Sequence, residues 1–140
     1  MIGLIDTSAL IRLFIPDGPV PEGLQEFFTG VETGLNMAIA PELIIAEVAN
    51  VIFKKKTSGE LSNEEGEQLL IDILGMPIRF FDHMPLVFRA YQLAEKFQLT
   101  VYDALFLSLA VEKSAIVFSA DEKIVKTANT LGLSGNWRRS

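Results

Sequence analysis

Four short apolar runs, separated by longer segments of helical periodicity, constrain the fold of this chain more than any other feature. They span residues 2–5, 37–40, 78–81 and 115–118. Each run is too short for a helix and has the length of a buried strand. Strands that alternate with helices form a mainly parallel sheet, because parallel neighbours need a crossover connection. The pattern predicts an α/β domain with helices covering both faces of the sheet.

The segments between these runs have the start and stop signals of helices. They predict helices over residues 9–15, 22–31, 41–56, 62–74 and 85–97, another that opens at Thr100, and a last one that ends near Gly132. Pro41 stands where proline favours the first helical position. Ser62 begins a capping sequence, and Ser119 with Glu122 has the spacing of a capping box.

Length and composition indicate one globular domain. The 140 residues, 49% of them apolar, predict a single domain over residues 1–140, with a tail from about residue 134. The absence of cysteine excludes a disulfide framework and a thiolate zinc site. His83 is the one histidine, which excludes a multi-histidine metal site. It falls in a predicted turn, where we expect it to be non-catalytic.

The net charge of −6 and the pI of about 4.8 argue against a basic protein that coats nucleic acid. The N-terminal apolar run ends at Asp6 after five residues, with no basic segment before it, unlike a signal peptide. The longer apolar stretches fall short of the roughly 20 residues of a membrane span. We expect a cytoplasmic protein without membrane association.

Four acidic residues fall where the functional crevice of such a sheet is expected, beyond the carboxyl ends of the strands. Asp6 closes the first strand, and Asp121 follows the last one. Asp103 lies in the first turn of a helix, and Glu47 in the middle of another. Parallel strands would bring Asp6 and Asp121 to the same edge of the sheet, where all four acids could converge.

Helix capping is an alternative explanation for three of these acids. Asp6 with the hydroxyl residues after it forms a good N-cap cluster. Asp103 follows Thr100 at the spacing of a capping box, and Asp121 would be a first-turn acid favoured by the helix dipole. Taken singly, these residues leave both interpretations open.

Glu47 is harder to explain structurally, because its neighbours along the helix are apolar. A carboxylate on an apolar helix must be paired, hydrogen-bonded or bound to a cation, since burying an unpaired ion costs several kcal/mol. Asn50, three residues on, lies on the same side of the helix and could orient that carboxylate. The sequence therefore favours a functional role for Glu47.

Carboxylates without histidine or cysteine suit Mg²⁺ or Mn²⁺. Without the four acids, 14 acidic residues face 12 basic ones, a net charge of −2. The acidic pI therefore does not exclude a phosphate substrate. Arg12 and Lys54, with Lys55, Lys56, Arg138 and Arg139, are candidates for contacts with a phosphate backbone. Lysines in a last helical turn also complement the helix dipole, a purely structural explanation.

Four blocks, in order, carry a resemblance to a known family. They are Leu4-Ile5-Asp6-Thr7-Ser8-Ala9-Leu10, Pro41-Glu42-Leu43-x-x-x-Glu47-Val48-x-Asn50, Thr100-x-Tyr102-Asp103-Ala104-Leu105-x-Leu107-x-Leu109-Ala110 and Ser119-Ala120-Asp121-Glu122-Lys123-x-x-x-x-Ala128-x-x-Leu131-Gly132. The sequence resembles the PIN domain and, within it, the VapC-like toxin ribonucleases of type II toxin–antitoxin modules. The resemblance extends to about Leu133.

The resemblance implies a three-layer α/β/α sandwich with a short, mainly parallel sheet, and a Mg²⁺- or Mn²⁺-dependent endoribonuclease. It implies partners as well: an RNA substrate, a small antitoxin that blocks the site, and a second copy of the chain in a homodimer. By position, the catalytic and metal-binding acids are Asp6, Glu47, Asp103 and Asp121, with Glu122 as a further candidate. Supporting residues are Thr7, Ser8, Asn50 and Ser119, which stands where many members have threonine.

Other functions fit the sequence less well. An aspartate-based phosphatase needs a second aspartate where Ser8 stands, and a phosphoacceptor domain needs a lysine after a late strand. Within the family, the alternatives are a non-toxin nuclease of RNA processing and a catalytically silent interaction module. Trp137, near the polar tail, is the best candidate for a contact with another chain.

Overall fold

The computed structural model describes residues 1–133, which contain a four-stranded, all-parallel sheet. The strands are β1 (Ile2–Ile5), β2 (Met37–Pro41), β3 (Ile78–Phe81) and β4 (Ile116–Phe118). Their order across the sheet is β3-β2-β1-β4, so that β1 lies between β2 and β4. Each strand coincides with one of the four apolar runs to within one residue.

Helices flank this sheet and complete the predicted α/β/α fold. They are α1 (Thr7–Arg12), α2 (Leu24–Glu32), α3 (Leu43–Thr57), α4 (Asn63–Leu74), α5 (Val87–Phe97), α6 (Val101–Lys113) and α7 (Glu122–Thr130), with one 3₁₀ turn (Met84–Leu86) before α5. Among residues 1–133, none of these helices is long and apolar enough to cross a membrane.

One hydrophobic core joins the sheet to its helices. Helix α6 is buried without interruption over residues 104–110 and packs against β1 and β2. On β1, Gly3 leaves room for the Phe27 ring, because a Cβ atom at Gly3 would lie 2.9 Å from the ring's Cε atoms. Phe27 in turn packs at 4.9 Å, centroid to centroid, against Phe118 of β4. These contacts fix β1 and β4, the two strands that lead to the acidic residues.

Two predicted helix starts have different outcomes. At Ser62 the predicted cap is confirmed, and the structure shows it to be a capping box: the Ser62 hydroxyl accepts from the Glu65 N–H at 3.1 Å, and the Glu65 side chain accepts from the Ser62 N–H at 2.9 Å. The prediction that Pro41 opens a helix is wrong. Pro41 is the last residue of β2, paired with Phe81, and α3 begins two residues later. Proline is tolerated there because the next N–H, that of Glu42, donates to the Phe81 carbonyl at 2.8 Å.

The last residues, 134–140, lie outside the described part of the chain. The suggested contact through Trp137 and the phosphate contacts through Arg138 and Arg139 fall there. The tail from about residue 134, and with it the single domain over residues 1–140, stays a prediction.

Candidate active site

Asp6 stands where β1 ends and α1 begins. Its N–H donates to the Phe118 carbonyl at 3.1 Å, which continues the pairing of β1 with β4. Its side chain caps α1, because Oδ1 accepts from the Ala9 N–H at 2.8 Å. The capping interpretation of Asp6 is therefore confirmed. Its carboxylate also lies in a hollow described below, so the cap does not account for everything around it.

Two serine hydroxyls tie the Asp6 carboxylate to the end of β4. Ser8 Oγ donates to Asp6 Oδ1 at 2.8 Å, and Ser119 Oγ donates to Asp6 Oδ2. Each hydroxyl also accepts a backbone bond at 2.9 Å, Ser8 from the Ala120 N–H and Ser119 from the Asp121 N–H. The carboxylate is held rigidly because both of its oxygens are engaged.

The sequence predicts that Ser119 caps the last helix as part of a capping box with Glu122. That prediction is wrong. The N-cap of α7 is Asp121, whose Oδ1 accepts from the Lys123 N–H at 2.9 Å and the Ile124 N–H at 3.4 Å. The Ser119 hydroxyl is directed to Asp6 instead, since it lies directly after β4 beside the end of β1.

Burial makes the Asp6 carboxylate costly to ionise. The residue is 3% exposed, and this desolvation raises its pKa from 3.8 to about 6. The hydrogen bonds from Ser119, Ala9 and Ser8 act in the opposite direction, and the nearby Asp103 adds a smaller upward contribution. Near pH 6 the group is therefore divided between its charged and neutral forms.

Glu47 reaches the same region from the middle of α3, which packs against α1. Thr7 Oγ1, in the first turn of α1, donates to Glu47 Oε1 at 2.6 Å. Burial raises the pKa of Glu47, and repulsion from Asp103 raises it further. Thr7 thus provides the hydrogen bond that a carboxylate on an apolar helix requires.

Asp103 lies in the first turn of α6, and Asp121 is the N-cap of α7. These two helices pack together. The Thr100 hydroxyl caps α6 by accepting from the Asp103 N–H at 3.1 Å. Burial raises the pKa of Asp103, and repulsion from Asp121 raises it further. The Asp103 carboxylate is therefore close enough to interact with each of the other three acids.

All four acids line one hollow of about 320 Å³, which we call the acidic hollow. It opens at the carboxyl end of β1 and β4. Its other lining residues are Thr7, Ser8, Arg12 and Asp17, with apolar walls from Ile11, Val51, Phe106 and Ile124. Within residues 1–133, no three acidic or histidine side chains stand close enough together to enclose an ion as they are. The four acids therefore line one shared space.

Comparison with known proteins identifies the architecture around this hollow. The model of the PIN domain matches residues 3–129. The chain belongs to the PIN domain family. No curated protein matches its sequence.

Among solved structures, this PIN domain is similar to the crystal structure of PAE2754 from Pyrobaculum aerophilum, with a TM-score of 0.70 and 19% identity over 96% of this chain and 92% of that one. It is also similar to a chain of VapBC2 from Rickettsia felis bound to a DNA fragment from their promoter. There the TM-score is 0.65 at 15% identity, over 97% of this chain and 98% of that one. At these identities, the likeness concerns the fold.

Among the candidate residues, Asn50, Lys54 and Glu122 lie away from the acidic hollow of this PIN domain. Asn50 is exposed and lines a groove between α3 and α4. Asn50 and Val51 lie three and four residues after Glu47, which places them about 300° and 400° further around the helix axis. They therefore flank Glu47 on opposite sides. Only Val51 faces the acidic hollow, and the prediction that Asn50 orients Glu47 is corrected accordingly. Lys54 is exposed in the last turn of α3, and Glu122 lines a neighbouring hollow.

Sequence reasoning missed a fifth acid and its ion pair with Lys55, a residue that the sequence suggests only as a phosphate contact. Asp17, in the loop after α1, lines the acidic hollow and forms an ion pair of 2.8 Å with Lys55. Lys55 is only 16% exposed and also reaches Glu60 at 3.3 Å. The local sequence Pro16-Asp17-Gly18 is typical of a turn. It therefore gave no signal that Asp17 faces the other acids.

Proposed function

We propose that this PIN domain is a Mg²⁺- or Mn²⁺-dependent endoribonuclease that hydrolyses RNA phosphodiester bonds, and that it is the toxin of a toxin–antitoxin pair. The observation that carries the proposal is the convergence of Asp6, Glu47, Asp103 and Asp121 on one hollow at the carboxyl edge of the sheet. A structural role in capping explains Asp6 and Asp121 but not the approach of Asp103 and Glu47 to them.

The donor set fits a hard divalent cation, since every candidate ligand is a carboxylate and hydroxyl groups hold two of them in place. Repulsion among the acids, which contributes to the raised pKa values of Asp6, Glu47 and Asp103, is the kind of cost that a cation offsets. The residues that would hold the ion are these three and Asp121. A bound Mg²⁺ or Mn²⁺ would supply positive charge to the phosphate and to the leaving oxygen.

The protein's own side chains would bind and orient. Arg12 lines the acidic hollow, where its guanidinium can contact a phosphate oxygen. The hydroxyls of Thr7, Ser8 and Ser119 donate to carboxylates, so their protons keep Glu47 and Asp6 in place. Because these hydroxyls already donate to carboxylates, the arrangement is consistent with hydrolysis by water and with no protein nucleophile.

The proposed partners follow from the family and from one exposed surface. We propose a small antitoxin, supported by the likeness to a chain of VapBC2, and the cytoplasm as the place where antitoxin and RNA meet the toxin. We also propose a homodimer. Met84, Phe88 and Tyr91, at 77%, 76% and 64% exposure, form an apolar surface on α5 and the turn before it that a second copy would cover.

A second candidate function is a catalytically silent interaction module. The observation that favours it is that, in the part of the chain described, no three acidic side chains have the arrangement that would hold an ion. A non-toxin nuclease of RNA processing would have the same chemistry as the first proposal and would differ only in its partners.

The test is cleavage of a long unstructured RNA by the wild type and by Asp103→Asn, with Mn²⁺ and with chelator. We expect cleavage by the wild type that needs the metal and a loss of at least about 100-fold in the variant, since the chemistry depends on electrostatic stabilisation. Asp72→Asn, on the exposed side of α4, is the matched control and should cleave like the wild type. Undiminished cleavage by Asp103→Asn would refute the assignment, and no cleavage by any of the proteins would favour the silent module.

A further inference from the structure

A second hollow adjoins the acidic hollow and shares Arg12 with it. It has a volume of about 470 Å³, in the range of small-molecule sites, and we call it the Pro21 hollow. The loop after α1 forms one wall with Pro19, Val20 and Pro21, and α7 forms the other with Val125 and Lys126. Ser119, whose hydroxyl holds Asp6, lines the boundary between them.

The boundary between the two hollows is defined by specific contacts, because the loop after α1 holds the Arg12 guanidinium between them. Arg12 Nη1 donates to the Pro19 carbonyl at 3.1 Å. Gly18 lies directly against the guanidinium, since a Cβ atom there would come within 2.7 Å of Arg12 Cζ. Any side chain at position 18 would displace the guanidinium. Arg12 lines both hollows, one bordered by acids and the other by prolines and valines, and its guanidinium has further N–H groups that can donate.

The chemistry of the Pro21 hollow suits a nucleoside. Proline and valine side chains offer apolar contacts to a base, while Arg12 and Lys126 provide positive charge on either side. Glu22 and Glu122 also line the hollow, so its charges balance, and these carboxylates can accept hydrogen bonds from base or sugar. A purely apolar ligand would make no use of these charged groups, and a bare phosphate would leave the apolar walls uncovered.

We infer that the Pro21 hollow binds the unpaired nucleotide next to the phosphate being cleaved, with Arg12 contacting the phosphate that joins the two hollows. The inference rests on the proposed ribonuclease function and adds the substrate's local structure. A base enters such a hollow only when it is not paired in a duplex. The nucleotide held in the Pro21 hollow is therefore unpaired in the bound RNA.

The test couples a protein variant to an RNA variant. Val125→Phe narrows the hollow, and a series of unstructured hexaribonucleotides each lacks the base at one position. Binding is measured by fluorescence anisotropy in the Asp103→Asn background, where the RNA stays intact. We expect Val125→Phe to weaken binding of the complete RNA by about tenfold, with one abasic position having a similar effect, and the two changes together to cost no more than either alone.

Two further variants guard against a folding defect. Val31→Phe makes the same substitution at a partly buried valine of α2 that lines a hollow at the amino end of the sheet, and should bind like its parent. Lys126→Ala changes an exposed residue and should weaken binding and reduce the slope of log affinity against log salt by about one.

The outcomes separate this inference from the proposed function. If Val125→Phe weakens binding of complete and abasic RNA equally, or affects neither, the inference is overturned even if the wild type cleaves RNA. If the coupling is found but the wild type cleaves nothing with Mn²⁺, the nucleotide site stands and the ribonuclease function fails. Absence of any RNA binding would overturn the nucleotide site.

Discussion

Replacing Asp6 by asparagine is expected to stabilise the metal-free protein at neutral pH. The carboxyl is 3% exposed and its pKa is raised from 3.8 to about 6, mainly by desolvation. A carboxyl group whose pKa is higher in the folded than in the unfolded state stabilises the fold. This stabilisation is fully present below the unfolded pKa and is lost as the pH rises through the folded pKa. Stability due to Asp6 therefore falls between about pH 4 and pH 7.

The size of the effect follows from the pKa difference. At 1.36 kcal/mol per pKa unit, the rise from 3.8 to about 6 corresponds to about 3 kcal/mol of unfolding free energy lost at neutral pH. The amide side chain in Asp6→Asn keeps an oxygen that can accept from the Ala9 N–H and from Ser8 Oγ, so the helix cap survives. Its NH2 group then faces Ser119 Oγ, which can accept from it in place of donating. The pKa values of Glu47 and Asp103 shift in the same direction, and both residues remain in both proteins.

The assay is urea unfolding at pH 5 and pH 7.5, in the presence of chelator, for the wild type, Asp6→Asn and the control Asp72→Asn. We expect Asp6→Asn to gain stability over the wild type at pH 7.5, by up to about 3 kcal/mol, and to gain less at pH 5. Asp72→Asn should follow the wild type. An Asp6→Asn variant less stable than the wild type at pH 7.5 would refute the claim that the buried charge is destabilising without a cation.

Three other changes test particular contacts. Thr7→Val removes the 2.6 Å hydrogen bond to Glu47, so it should lower the free energy of unfolding in urea by about 1 to 3 kcal/mol and weaken Mn²⁺ binding. Thr7→Ser keeps the hydroxyl and should retain both the stability and the Mn²⁺ affinity. Equal behaviour of the two variants would contradict this. Ser62→Ala breaks the capping box of α4 and should cost about 1 kcal/mol in thermal unfolding without changing Mn²⁺ affinity. Asn50→Ala should leave Mn²⁺ affinity unchanged, because Asn50 lies outside the acidic hollow; a marked loss would restore its predicted role.

Local sequence signals predicted most of the fold. The strands are recognisable because each is a short, buried, apolar run, and the Ser62 cap is recognisable because its hydrogen bonds lie within one turn. The prediction at Pro41 failed because proline's missing N–H is compatible with the end of a strand as well as with the start of a helix. Only the pairing of Pro41 with Phe81 of β3 shows that Pro41 ends a strand.

Contacts between distant segments limited prediction of the candidate site. Asp6 and Asp121 could be placed at one edge because they follow strands, and Glu47 because it interrupts an apolar helix. The bond from Ser119 to Asp6 spans 113 positions, and the ion pair of Lys55 with Asp17 joins α3 to a loop. Neither of these two contacts has a local sequence pattern. At Ser119, the pattern of a helix cap was therefore the stronger signal.

The central claim, that the four carboxylates form one cation site, is tested most directly by calorimetric titration of Mn²⁺ into the wild type and Asp103→Asn, with Asp72→Asn as the control. The account predicts saturable binding to the wild type and the control, and loss of binding in Asp103→Asn. Wild type that binds no Mn²⁺ at millimolar concentration, or an Asp103→Asn variant that binds as tightly as the wild type, would contradict it.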